Sequence, residues 1–266
     1  ALSQTEMAIG QGYFSAFTGD LNGLVEFSGT PNFGVLNVDL SFTDHAPVDE
    51  APFEGFNLVS NPYTHSVSYS SFMTGNSGAS ISGSIYLWDD DNSETGRGDN
   101  ADYLVVNAMG NTDSRNNGLS KWDGNIRSGQ GFFVQATASS TITFDPAMIG
   151  SSNSDGGFFR SDELNVMPLK LILDDGFDKK ATIVGFADNA SDGLDSEYDA
   201  PLLSEGNLRF YSLLSDRAYA IQGLSSGYSN EIPMGFIASQ DGEFSISINQ
   251  VESTESFAVI FLKDLA

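Results

Sequence analysis

The sequence predicts an all-β fold of tandem antiparallel β-sandwich, jelly-roll-like modules with little or no helix. Three observations carry this expectation. Period-2 alternation of apolar and polar residues recurs along the chain, and turn clusters separate the alternating runs. No stretch of a dozen residues holds a 3.6-residue period free of glycine. Successive side chains of a strand point to opposite faces, so alternation marks a strand with one buried face.

The runs follow in chain order. Leu36-Asn37-Val38-Asp39-Leu40-Ser41-Phe42 puts four apolar side chains on one face. Ile81, Gly83, Ile85 and Leu87 alternate with Ser80, Ser82, Ser84 and Tyr86. Thr141-Ile142-Thr143-Phe144 is a short strand, and Leu169, Leu171 and Leu173 share a face. Phe244, Ile246 and Ile248 alternate with Ser245, Ser247 and Asn249. Phe257 to Leu262 is nearly continuous in apolar residues, as expected of a strand buried on both faces. Between the runs lie Gly75-Asn76-Ser77-Gly78, Asn116-Asn117-Gly118, Ser151 to Gly157 and Asp174-Asp175-Gly176, all turn-forming.

A glycine-punctuated motif occurs twice, beginning at Gly10 and at Gly129, 119 residues apart. Gly10-Gln11-Gly12-Tyr13-Phe14 is followed by Val25-Glu26-Phe27-Ser28-Gly29. Gly129-Gln130-Gly131-Phe132-Phe133 is followed by Ile142-Thr143-Phe144-Asp145-Pro146. Recurrence at this spacing implies a β-module of roughly 120 residues used more than once, with the chain beginning partway through one. The polar, two-proline stretch Asp44 to Pro52 and the run Ser151 to Gly157 read as linkers. The expected units are therefore a partial module at 1–50, a sandwich at 51–160 and a second sandwich at 161–266. The first unit is too short to bury a sheet alone, so it must pack on a later module or on another chain.

Composition narrows the function. The formal net charge of −25 and pI near 4.1 repel phosphate backbones and anionic membrane surfaces, which argues against a nucleic-acid partner. Membrane insertion is not expected either, because no apolar run approaches the ~20 residues of a spanning helix. There is no cysteine, which excludes disulfides and thiolate metal sites. Asp outnumbers Glu by 24 to 12, and Asp-rich turns are where hard cations bind.

Several strings together resemble surface proteins of Bacteroidetes. Gly55-Phe56-Asn57-Leu58-Val59-Ser60-Asn61-Pro62-Tyr63 is similar to their "GWNLIGNPYP" strand-turn, and Ser84-Ile85-Tyr86-Leu87-Trp88-Asp89 to their "IYxWD" strand. Ser128 to Val134 resembles "PGQGFFV", and Ser191 to Leu202 resembles "TDGFDSGYDAxKL". Leu208 to Ser212, Ile232 to Phe236 and Phe257 to Leu265 follow in the same order. The resemblance implies a β-rich region lying before the C-terminal sorting domain of the type IX secretion class, and hence export to the cell surface or medium. It implies no catalytic activity.

The residues offer little for catalysis. There is no G-x-S-x-G, and His45 and His65 are the only histidines, so a triad or a histidine-rich zinc site is not expected. Calcium is the candidate cofactor. Asp188, Asp192 and Asp199 fall at positions 1, 5 and 12 of a partly matching twelve-residue loop, with Gly193 at position 6 and Asp195 between. A second acidic loop begins with Asp89 and Asp91. Trp88 and Trp122 are the candidate platforms for a polysaccharide, whose pyranose rings stack on exposed aromatic faces. Two readings follow. One is a non-catalytic structural or adhesive region of an exported protein, self-associating through strand edges into a surface filament. The other is a carbohydrate-binding module, calcium-dependent or not, of a secreted polysaccharide-processing protein.

Overall fold

The computed structural model describes residues 7–14, 29–43, 54–88, 103–114, 122–150, 166–203, 206–250 and 260–264. These residues form an all-β molecule, 47% strand and 4% helix. In chain order come β1 (Leu36–Leu40), β2 (Phe56–Ser60), β3 (Val67–Ser68), helix α1 (Tyr69–Gly75), β4 (Ile81–Trp88), β5 (Tyr103–Asn107) and β6 (Gly110–Asn111). Next are β7 (Asn125–Ile126), β8 (Gly131–Ala136), β9 (Ser140–Phe144), β10 (Val166–Asp174) and β11 (Lys179–Ala187). The last are β12 (Ala200–Pro201), β13 (Leu208–Leu214), β14 (Arg217–Ser225), β15 (Met234–Ala238) and β16 (Ser245–Gln250).

A five-stranded antiparallel sheet, β2-β8-β4-β5-β6, lies at the centre and is buried on both faces. Alternation within single strands divides its side chains. Ile85 and Leu87 of β4 and Leu104 and Val106 of β5 enter the first core. Tyr86 and Val105, one residue out of phase, enter the second. The first core is closed by α1 and by the ribbon β1-β9, with the rings of Phe72, Phe132 and Phe144 packed edge-on or tilted, their centroids 5.3–6.4 Å apart. α1 is a short helix of about two turns, capped by the Ser68 hydroxyl, and it survives because Tyr69 and Phe72 are buried.

The second core lies between this sheet and a larger one ordered β15-β13-β14-β11-β10-β16, with β12 beside β14. Its pairings are antiparallel except β11-β14, which is parallel, with Ile183 opposite Ile221. Strand alternation alone carries no information about direction, so this exception was not legible in the runs. The far face of the large sheet holds a third core of Leu169, Leu171 and Leu173 from β10 with Leu208 and Phe210 from β13. Met234 and Phe244, near opposite edges of the strand order, also join it. The sheet therefore curls over its own far face, and residues 239–244 connect its two edge strands.

The N-terminal segment joins the middle of the chain. β1 pairs with β9 over five residues, from Leu36 opposite Phe144 to Leu40 opposite Ser140. The two Gly-Gln-Gly copies flank β2. On one side Gly12 N–H donates to Leu58 O and Ser60 N–H to Gly10 O, at 3.0 and 2.9 Å. On the other, Ser60 pairs with Gly131 and Asn61 N–H donates to Gln130 O. The first glycine of each copy has a positive φ, +76° at Gly10 and +67° at Gly129, which an L side chain adopts only at a cost. Gly129→Ala is expected to lower stability by about 1 kcal/mol, read as a shift of the urea midpoint at unchanged slope.

The expectation for Phe257 to Leu262 is not met over its described part. Ile260, Phe261 and Leu262 carry no strand, and Phe261 is 88% exposed. No sheet face among the described residues covers them, and Lys263 ion-pairs with Glu231. Phe257–Val259, both proposed linkers, His45 and residues 25–28 of the first motif copy lie outside the described residues.

Candidate functional site

Three of the four aspartates of the Asp188–Asp199 loop are engaged by backbone donors. Asp199 is almost fully buried. One carboxylate oxygen accepts the Gly223 N–H at 2.8 Å and the other the Asp195 N–H at 2.7 Å. Asp195 accepts the Glu197 N–H, and Asp192 accepts both the N–H and the hydroxyl of Ser225. Asp188 is exposed on the surface. Among the described residues no group of three His, Cys, Asp or Glu side chains converges on one point. The loop geometry is that of a strap closed against β14. Burial pushes the Asp199 carboxyl up to about 6; the backbone donors from Asp195 and Gly223 oppose this, and the nearby Asp195 charge adds to it. Asp89 and Asp91 lie outside the described residues.

Trp88 and Trp122 occupy different environments. Trp122 is half-buried against the first core, its indole N–H donating to Asn125 O and its backbone N–H to an Asp113 carboxylate oxygen. Its ring meets Tyr69 edge-on at 6.0 Å. These contacts make Trp122 a packing residue. Trp88 ends β4 and is 43% exposed.

Around Trp88 the structure assembles rings from separate elements. Phe14 lies 6.3 Å from Trp88 and 5.9 Å from Phe133. Tyr103 lies 5.5 Å from Trp88 and 5.9 Å from Phe133. Phe133 leads inward to Phe56 and from there to the buried Tyr86. The array thus runs from solvent, at Phe14 and Trp88, down one face of the central sheet into the second core. Most of these pairs are edge-to-face, the arrangement that ring quadrupoles favour and that holds each ring in place. Such a cluster can present a fixed apolar surface to a ligand at small ordering cost. Sequence reasoning missed Phe14 and Tyr103. Phe14 had a usable signal: it occupies the place in the first Gly-Gln-Gly copy that Phe133 occupies in the second, and the two rings meet.

His65 stacks on Tyr63 at 4.9 Å, with Nδ1 3.0 Å from Ser66 O, in the turn after β2. Asn61 organises that turn. Its amide donates to the carbonyls of His65, Ile126 and Arg127, and its oxygen accepts the Tyr63 N–H. Both residues are occupied in holding backbone.

A family described as "Domain of unknown function (DUF8693)" matches residues 2–266. Neither a curated protein nor a solved structure matches the chain.

Proposed function

This chain belongs to the DUF8693 family, and we propose that it is a non-catalytic structural or adhesive β-sandwich region of an exported bacterial cell-surface protein, one that self-associates through strand edges. The observation that carries the reading is the character of the two strands that end the large sheet among the described residues. β15 exposes Phe236 and Ile237, and β16 exposes Ile246 and Ile248. Natural proteins blunt edges with charge or proline, and apolar edges invite pairing with another chain. The resemblance to exported surface proteins supports the location. The interlocked central sheet supports a load-carrying role, since both its faces are committed to packing.

Light scattering tests the assembly. Raising salt screens the repulsion between copies of net charge −25 and is expected to promote larger species. A monodisperse monomer at high protein and salt concentration would sink the assembly reading. Antibody labelling of intact cells tests the location.

A second reading, a carbohydrate-binding module, is favoured by the exposed array at Trp88. Trp88→Ala is expected to weaken polysaccharide binding about tenfold, equivalent to ~1.4 kcal/mol, while Trp122→Ala lowers stability instead. Equal retention of both variants in a polysaccharide pull-down contradicts this reading. Its calcium-dependent form predicts a higher melting temperature in millimolar calcium than in chelator, because a ligand of the native state must stabilise it.

A further inference from the structure

We propose that the cleft between the β10-β11 turn and the β15-β16 loop is a docking site for a basic peptide segment, anchored on Phe177. The cleft has a volume of 930 Å³ and is floored by Leu208, Ala238 and Phe244. These residues belong to or pack on the third core, so the cleft opens onto apolar surface where the curled sheet ends. Phe177 stands at its mouth and is 94% exposed. A turn tip normally carries a polar side chain, because a solvated phenylalanine forgoes the gain of burial.

The turn that carries Phe177 is held rigid. The Gly176 N–H donates to Asp174, and the N–H groups of Phe177 and Asp178 donate to Asp175, at 2.7–2.8 Å. Lys179 ion-pairs with Asp174 at 2.9 Å. The ring is therefore presented on a preorganised support, and a partner that covers it orders little new structure.

Charge selects the partner. Every charged residue lining the cleft is an acid: Asp174, Asp175, Asp178, Asp241 and Glu243. Lys179 and Lys180 offset two of these, Asp174 and Asp178. Asp241 and Glu243, exposed on the opposite wall, leave the cleft negative. A concave site lined by one sign of charge focuses potential, draws in the opposite charge and rejects anions. An apolar floor with an acidic rim complements lysine or arginine, whose apolar stems lie along such surface while the charged heads meet the rim. A neutral sugar would use the ring but gain nothing from the charge.

The test uses the whole chain and a fluorescently labelled Lys-Trp-Lys-Lys probe, read by anisotropy at physiological salt. Binding is expected, and Phe177→Ala is expected to weaken it about tenfold, as is the pair Asp241→Asn with Glu243→Gln. A charge-matched control, Asp39→Asn with Asp216→Asn, removes two exposed acids outside the cleft and should change affinity less than about twofold. The exposure of Phe177 means that its replacement leaves the fold intact, which a thermal melt confirms. The proposal is overturned by absence of binding, or by equal loss in the control, which would assign the effect to overall charge. It is overturned equally by a neutral oligosaccharide that binds with the same dependence on Phe177.

Discussion

Replacing Gly83 by alanine is expected to be among the most damaging single changes in the chain, costing about 3 kcal/mol and lowering the melting temperature by about 6–12 °C. Gly83 lies in β4 where the strap Asp195–Pro201 crosses the central sheet. A Cβ there would sit 2.1 Å from Glu197 O and 2.8 Å from its carbonyl carbon. Both contacts are backbone, so no flexible side chain can give way. The Gly83 N–H also donates to Ser196 O at 2.9 Å, and Tyr69 Oη donates to Gly83 O at 2.8 Å. Neighbouring links repeat the clasp. Asn107 Nδ2 donates to Tyr198 O, and Tyr86 Oη to Pro201 O. A methyl group at Gly83 must push the strap off the sheet or move β4, and either movement opens the second core. Gly78→Ala is the matched control, since a Cβ there meets nothing within 4 Å. Equal melting temperatures for the two variants would refute the clasp.

Asp199→Ala is expected to cost about 2–4 kcal/mol at neutral pH, because it leaves the buried Gly223 N–H and the part-buried Asp195 N–H without their acceptor. Its pH dependence is as informative as its size. The carboxyl titrates near 6 in the folded protein against 3.8 for the free group. Between those values the folded state holds more protons than the unfolded one, so stability contributed by this group falls as pH rises from about 4 to about 6. Outside that window it is level. The shift corresponds to at most ~3 kcal/mol across the window. Acidification also relieves the repulsion of a strongly acidic chain, with the same sign, so the measurement is the difference between wild type and variant in urea melts at stepped pH. That difference should change through the window; parallel curves would show that Asp199 does not titrate there.

Both predictions concern residues that a reading of the sequence placed elsewhere. Gly83 appeared as one member of an alternating run, and Asp199 as the last ligand of a calcium loop. Alternation reports which residues share a face, and on that it was sound: Ile85 and Leu87 do enter one core, and Leu169, Leu171 and Leu173 do share another. It cannot report that Gly83 is the point where another segment's carbonyl comes within touching distance. The spacing of acids likewise cannot say whether their oxygens face a common point or backbone N–H groups, because that depends on how the loop closes. Trp88 and Trp122 were equal as letters, each ending or entering a turn. They separated only when Tyr69 and Asp113 enclosed one and Phe14 and Tyr103 surrounded the other without covering it.

By itself the sequence determined the all-β character, strands β1, β4, β9, β10 and β16 and the strongly acidic composition, because strand periodicity and charge are local properties read residue by residue. Tertiary structure decided the parallel β11-β14 pair, the burial of the central sheet on both faces, the strap across Gly83 and the exposure of Phe177. Each of these depends on contacts between segments far apart in the chain, and the energy that settles them is the packing of one face against another, which no local pattern encodes.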